Sequence, residues 1–195
     1  MNIFILDSNP TLAAQLQCDK HVVKMVLESA QMLSTAHRML DGNVIKAPSK
    51  SGKRMVNRYV HPDPAMDEAL YNAVHFNHPC TVWTMQSTAN YRWHFEHFIA
   101  LCNEYTYRYG KKHLTDTKMR RVLSKYPTNL PKKKLTPFAL AMQHQPQCIN
   151  RDDPVQSYKD YYITKQSNFN MVWSKREIPE WFLYNTDETK EVMYG

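Results

Sequence analysis

Tyr91, Phe95, Phe98, Cys102, Tyr105 and Tyr109 recur at intervals of four, three, four, three and four residues, and the run stops at Gly110. That spacing is one face of an α-helix of about five turns. A glycine just past the last member is a usual helix stop. So much aromatic surface on one face has to be covered, which commits the chain to a helical core. Aromatics at this spacing are core rather than a platform for stacking bases.

A second periodic stretch carries polar groups. His21, Lys24, Glu28, Gln31 and Thr35 fall at intervals of three, four, three and four, one stripe of a helix. Val22, Val23, Val26, Leu27, Ala30 and Leu33 lie on the other side, and Met25 and Met32 flank the stripe. The plain reading is the solvated side of an amphipathic helix. The sharper one is chemical: a carboxylate framed by lysine and histidine suits acid–base work or stabilisation of a growing positive charge.

Around these two stretches the chain reads as all-α and a single domain over residues 1–195. Phe4-Ile5-Leu6 suggests a short buried strand or an extended lead-in. Asp7-Ser8-Asn9-Pro10 begins a helix that bends near Cys18-Asp19 and runs to Leu40, with Gly42 as its stop. Residues 43–60 read as a mobile basic loop. Pro62-Asp63-Pro64 opens a helix through Phe76. Asn77-His78-Pro79 opens the longest helical stretch, divided at Ser87-Thr88. Residues 111–154 read as an irregular basic excursion with one short helix near 115–125, so both 43–60 and 111–154 look like basic insertions. Asp153-Pro154 starts a helix bearing Tyr158, Tyr161 and Tyr162; Trp173 and Trp181 close the fold, and residues 184–195 read as a loose tail.

The net charge of +7 is unevenly spread. Residues 42–62 hold Lys46, Lys50, Lys53, Arg54 and Arg58 with no acid. Residues 108–134 hold ten lysines and arginines, among them Lys111, Lys112, Arg120, Arg121 and Lys132 to Lys134, against Asp116 alone. Such concentration favours a polyanionic partner, nucleic acid first. His78, at a helix start beside free backbone N–H groups, is placed to meet a phosphate. No apolar run approaches membrane-spanning length, and Met1 to Leu6 lacks the form of a secretory signal. Cys18, Cys80, Cys102 and Cys148 show no metal-type pairing, so reduced thiols and a cytoplasmic protein are the simplest expectation. Four glycines supply no phosphate-binding loop. His94 and His97, three apart, make a weak metal pair without a third ligand, and the sequence points to no metal and no cofactor.

The order Ala13-Ala14, Asp19-x-His21, Glu28, then His78, then a long aromatic helix ending Tyr107-Arg108-Tyr109-Gly110, then Tyr158-Lys159-Asp160-Tyr161-Tyr162, resembles the pyrimidine-dimer DNA glycosylases of the phage endonuclease V type. The likeness spans roughly residues 3–42 and 75–110, with an echo near 158–162. It implies a compact helical fold, duplex DNA as partner and, for a phage-encoded chain, the cytoplasm of an infected bacterium. It implies Glu28 as catalytic acid, with His21 at the family's histidine. The family attacks the sugar C1′ with a terminal α-amine. Asn2 is too large for efficient methionine removal, which makes the amine of Met1 the candidate nucleophile; Lys24 or Lys20 would need a strongly lowered pKa to take its place. Gln31 and Leu27 stand where the family has basic residues.

The expectation is therefore a DNA N-glycosylase, with lyase activity if an amine attacks, acting on a damaged or modified pyrimidine. Glu28, His21, Met1 and Lys24 would carry the chemistry. Lys20, Gln31, Lys50, Lys53, Arg54, Arg58, His78, Trp83, Lys111, Lys112, Arg120 and Arg121 would hold the nucleic acid, with Trp83 or Tyr91 stacking on a displaced base. Two alternatives stay open: a non-catalytic DNA-binding protein, and an enzyme acting on a free nucleotide or modified base.

Overall fold

The computed structural model describes residues 1–49 and 51–183. In chain order the elements are α1 (Pro10–Gln15), α2 (Asp19–Leu40), β1 (Asn43–Pro48), β2 (Met55–Val60), α3 (Pro64–Ala69), α4 (Pro79–Met85), α5 (Thr88–Tyr109), α6 (Leu114–Leu123), α7 (Pro154–Ile163) and α8 (Glu180–Leu183), with short 3-10 turns at Pro146–Cys148 and Thr164–Ser167. Most helices start on a side-chain cap. Asn9, Asp63, Ser87 and Asp153 each accept backbone N–H bonds from the first turn of α1, α3, α5 and α7, and His78 does so for α4. Gly110 ends α5 in the left-handed conformation, φ +67°.

The aromatic row on α5 is core, as its spacing requires: Tyr91, Phe98 and Cys102 are fully buried and Phe95 and Tyr105 pack beside them. α1, α2 and α4 lie against α5, and α6 closes over α2. Residues from 111–154 enter the same core through Met119, Leu123, Leu130 and Met142. All four cysteines are free and buried.

The all-α expectation is overturned. Residues 43–60 are not a loop but an antiparallel hairpin, β1 on β2, with Lys46 opposite Asn57 and Ile45 opposite Arg58. Almost every residue of the hairpin is exposed or half-exposed. With both faces open, no alternation of polar and apolar residues is imposed, which removes the pattern by which a strand is read. Lys50 and the tail 184–195 lie outside the described residues.

Three smaller expectations also change. The helix expected from Pro10 to Leu40 is two helices, broken at residues 16–18. The helix after Pro64 ends at Ala69 rather than Phe76, leaving 71–78 irregular. Phe4-Ile5-Leu6 is no strand: Phe4 has φ +53°, and Leu6 N–H turns back to the Phe4 carbonyl at 2.9 Å. The side chain of Asn2 holds that bend, its Oδ1 accepting from the N–H of Ile3 and of Phe4 at 2.8 and 3.1 Å.

α2 is the spine of the molecule. Its apolar positions Val22, Met25, Val26, Ala30, Met32, Leu33 and Ala36 are buried. Val23 and Leu27, expected on the covered side, stand 40% exposed.

Candidate functional site

The buried N-terminal segment delivers the first residue to the middle of α2. Asn2 Nδ2 donates to the Ala141 carbonyl at 3.1 Å, and Ile3, Ile5 and Leu6 are sealed in the core. Anchored in this way, the terminal amine of Met1 lies 3.7 Å from Glu28 Oε2. Lys24, one turn earlier on α2, places Nζ 3.1 Å from the other carboxylate oxygen. The Glu28 side chain is only 13% exposed, and that of Met1 6%. Among the described residues Glu28 Oε2 is buried with no hydrogen-bond donor within reach, so its one close partner is the amine's charge.

His78 completes the cluster. Its Nδ1 accepts from Cys80 N–H at 3.3 Å, which leaves the ring proton on Nε2. The ring also lies close to the main chain of Met1, the residue whose amine faces Glu28. Burial, then the charge of the terminal amine and that of His75, push the His78 imidazole below its ordinary value. A neutral imidazole is thus the resting form.

The remaining sequence candidates divide. Gln31 sits one turn past Glu28 and half-buried, on the same stripe. His21 is 7 residues from Glu28, about 10 Å along the helix. It is turned into packing, with Nδ1 2.7 Å from Tyr162 Oη and its ring stacked on Phe4 at 4.6 Å. Burial and the nearby lysines 24, 165 and 20 push His21 down to about 4. It therefore orders the N-terminal bend rather than facing the carboxylate. Lys20 lies over the Phe169 ring at 4.3 Å, exposed, and Lys24 is 59% exposed. Of the amines near Glu28, that of Met1 is the one in dry surroundings.

Trp83 is 1% exposed, packed between Trp93 and Phe138, and Tyr91 is fully buried. Neither presents a face to a base, because both belong to the α4–α5 core that the aromatic spacing announces. Phe76, which the sequence did not single out, does present one. It is 37% exposed and lies against Tyr59 in a groove of about 590 Å³ whose wall includes Asn57, Arg58 and Asn72. Phe76 is two residues before His78 in the chain.

Among the cations, Lys53, Arg54 and Arg58 stand exposed on the hairpin, and Lys111, Lys112 and Arg121 are exposed beyond α5 and on α6. Arg120 is spoken for: it is bonded to Asp116 at 2.6 Å and to Asn103 at 2.9 Å. The hairpin leaves the C-terminal end of α2. Tyr109, two residues before Lys111, bonds the Asp19 carbonyl at the other end. Lys111 and Lys112 thus begin at the far end of a helix about 33 Å long, while α6 runs back toward the hairpin end, its Leu123 carbonyl bonded to Tyr91 beside His37.

His94 and His97 are buried inside the core, paired with Thr84 at 2.7 Å and Gln17 at 3.3 Å respectively. Burial holds both well below the ordinary histidine range, His97 at about 3.

Compared with protein-family models, curated proteins and solved structures, the chain matches none. No helix among the described residues is long and apolar enough to cross a membrane. The functional reading therefore rests on the geometry of the cluster and on the distribution of charge.

Proposed function

We propose that this protein is a DNA N-glycosylase whose nucleophile is the α-amine of Met1 and whose acid–base group is Glu28. The observation that carries the reading is the buried meeting of the two, 3.7 Å apart, with Glu28 Oε2 otherwise unpartnered among the described residues. An ion pair that served only stability would be expected to satisfy both oxygens.

In this scheme the amine gives up a proton to solvent and attacks C1′ of the target nucleotide. The new C–N bond forms as the bond from C1′ to the base breaks, and the base leaves with that electron pair and takes a proton from water. The negative Glu28 steadies the positive charge growing on the sugar, then carries a proton from the new C1′ ammonium to O4′ as the ring opens to the imine. His78 acts by positioning: its ring beside the Met1 carbonyl aims the amine. Lys24 holds the second oxygen of Glu28. The exposed cations of the hairpin and of residues 111–121 track the phosphates, and Phe76 in the neighbouring groove offers the stacking face.

The test is borohydride trapping on ultraviolet-irradiated and abasic duplexes, with Glu28→Gln and an amine-acetylated form alongside. A trapped adduct mapped by mass spectrometry to the residue 1 amine, and absent from both altered forms, is the expected result. An adduct that survives acetylation would move the nucleophile to a lysine.

One observation favours a second reading. The hairpin cations Lys53 and Arg54 stand free of the body of the fold, as they would in a non-catalytic DNA-binding protein. Salt-sensitive binding with neither base release nor adduct would select it.

A further inference from the structure

Away from Glu28, the described residues hold one further group of three metal-type donors that converge. One donor atom each from His37, Asp41 and His61 lies within 4.8 Å of the others. We propose that these side chains bind a divalent transition-metal ion of the zinc type, which clasps the base of the hairpin to the end of α2. Two imidazoles and a carboxylate are a donor set that zinc accepts, and three protein ligands leave a fourth position for water.

The placement gives the ion a task. Asp41 directly follows α2 and His61 directly follows β2, so the two residues flank the hairpin, while His37 comes from the last turn of the helix. Bridging 41 and 61 closes the excursion at its neck, where a cross-link removes chain entropy. The hairpin held by that neck carries the exposed cations Lys53, Arg54 and Arg58.

The surroundings hold two of the three ligands in place without help from an ion. Asp41 receives Thr128 N–H on one oxygen at 2.7 Å and Asn129 N–H on the other at 2.9 Å. Outer contacts of this kind orient ligating carboxylates. Tyr91, whose hydroxyl donates to the Leu123 carbonyl, also lies 2.9 Å from His37 Nε2. That contact holds a ring 1% exposed at the end of α2.

His61 is the ligand that adjusts. Its Nδ1 accepts from Asp63 N–H at 3.1 Å, so the proton sits on Nε2, 3.9 Å from Asp41 Oδ2. An ion entering between them takes the place of that proton. The proton moves by way of solvent to Nδ1, and the surface-exposed Asp63 N–H turns to water. The inference does not depend on the glycosylase reading.

The test is titration of the chelator-stripped full chain with zinc chloride by calorimetry, with cobalt(II) as a spectroscopic probe and thermal melting alongside. One zinc per chain, a visible cobalt spectrum of four-coordinate type, and a rise in Tm of roughly 5 °C are expected. His61→Ala should weaken zinc binding at least about 100-fold. His75→Asn, at an exposed position with φ +48° where asparagine is at ease, should bind as the parent does. A parent chain that takes up no zinc overturns the proposal, as does a folded His61→Ala that binds it undiminished.

Discussion

The middle and the C-terminal end of α2 handle buried charge in opposite ways. At the C-terminal end, Arg38 uses all five of its N–H groups: Nε on the Tyr71 carbonyl, Nη1 on the Tyr59 carbonyl and the Asp67 carboxylate, Nη2 on the carbonyls of Asp67 and Leu70. Ten residues earlier, Glu28 leaves one buried oxygen facing nothing closer than an amine 3.7 Å away. The first arrangement stitches α2 to β2, α3 and the segment after it. The second holds a charge in reserve. A satisfied buried ion is architecture, and an unsatisfied one beside a nucleophile is a place for chemistry.

The comparison breaks most directly at Arg38. Arg38→Ala strands the Asp67 carboxylate and three segments of main chain, and should cost about 3–5 kcal/mol in urea unfolding. Glu28→Gln should do the reverse. Borohydride trapping should fall about 10²–10³-fold, while stability moves by less than about 1 kcal/mol. If Glu28→Gln unfolds the protein as Arg38→Ala does, the contrast between the two sites on α2 is gone.

Gly42 sharpens the architectural side. A Cβ there would sit 2.3 Å from the Arg38 carbonyl oxygen and 3.1 Å from that of Val60, both backbone atoms. Gly42→Ala should therefore cost about 1–3 kcal/mol and loosen the hairpin neck without touching the Glu28 cluster.

Acid probes the intervening core. His21 is held at about 4 and His97 at about 3, both by burial first, and His94 is depressed for the same reason. The unfolded chain binds protons at these sites from about pH 6.5 downward and the folded chain does not. Their contribution is thus complete above about 6.5 and lost as pH falls toward 4 and below. The melting temperature should drop by several degrees across that window, and His21→Gln should flatten part of the fall.

The smallest effect on stability belongs to the hairpin. Lys53→Ala with Arg54→Ala should leave stability within about 0.5 kcal/mol. The slope of log affinity for DNA against log salt should shrink by about two.

How much of this could be read beforehand differs by residue. The α5 core, the caps at Asn9, Asp63, Ser87 and Asp153, the stop at Gly110 and the polar stripe through Glu28 all follow from spacing along the chain, because helix periodicity and capping are local. Trp83 was misplaced at the surface because a single tryptophan between two helices carries no signal of which face is covered. The hairpin was hidden because strands open on both sides keep no alternation. Asn2 announced only a poor site for methionine removal, and its part in bending and anchoring the N-terminal segment needed Ala141, 139 residues away.

By itself, then, the sequence determined a helical core, a carboxylate set beside a lysine on α2, and two basic stretches with almost no acid among them. Only the tertiary structure decided that the Met1 amine reaches Glu28, that His78 lies beside it, that His21 turns inward, and that His37, Asp41 and His61 converge. The reason is physical: local rules fix each residue's place on its own element. Which side chains share a dry space depends on long-range packing of segments that the chain keeps far apart.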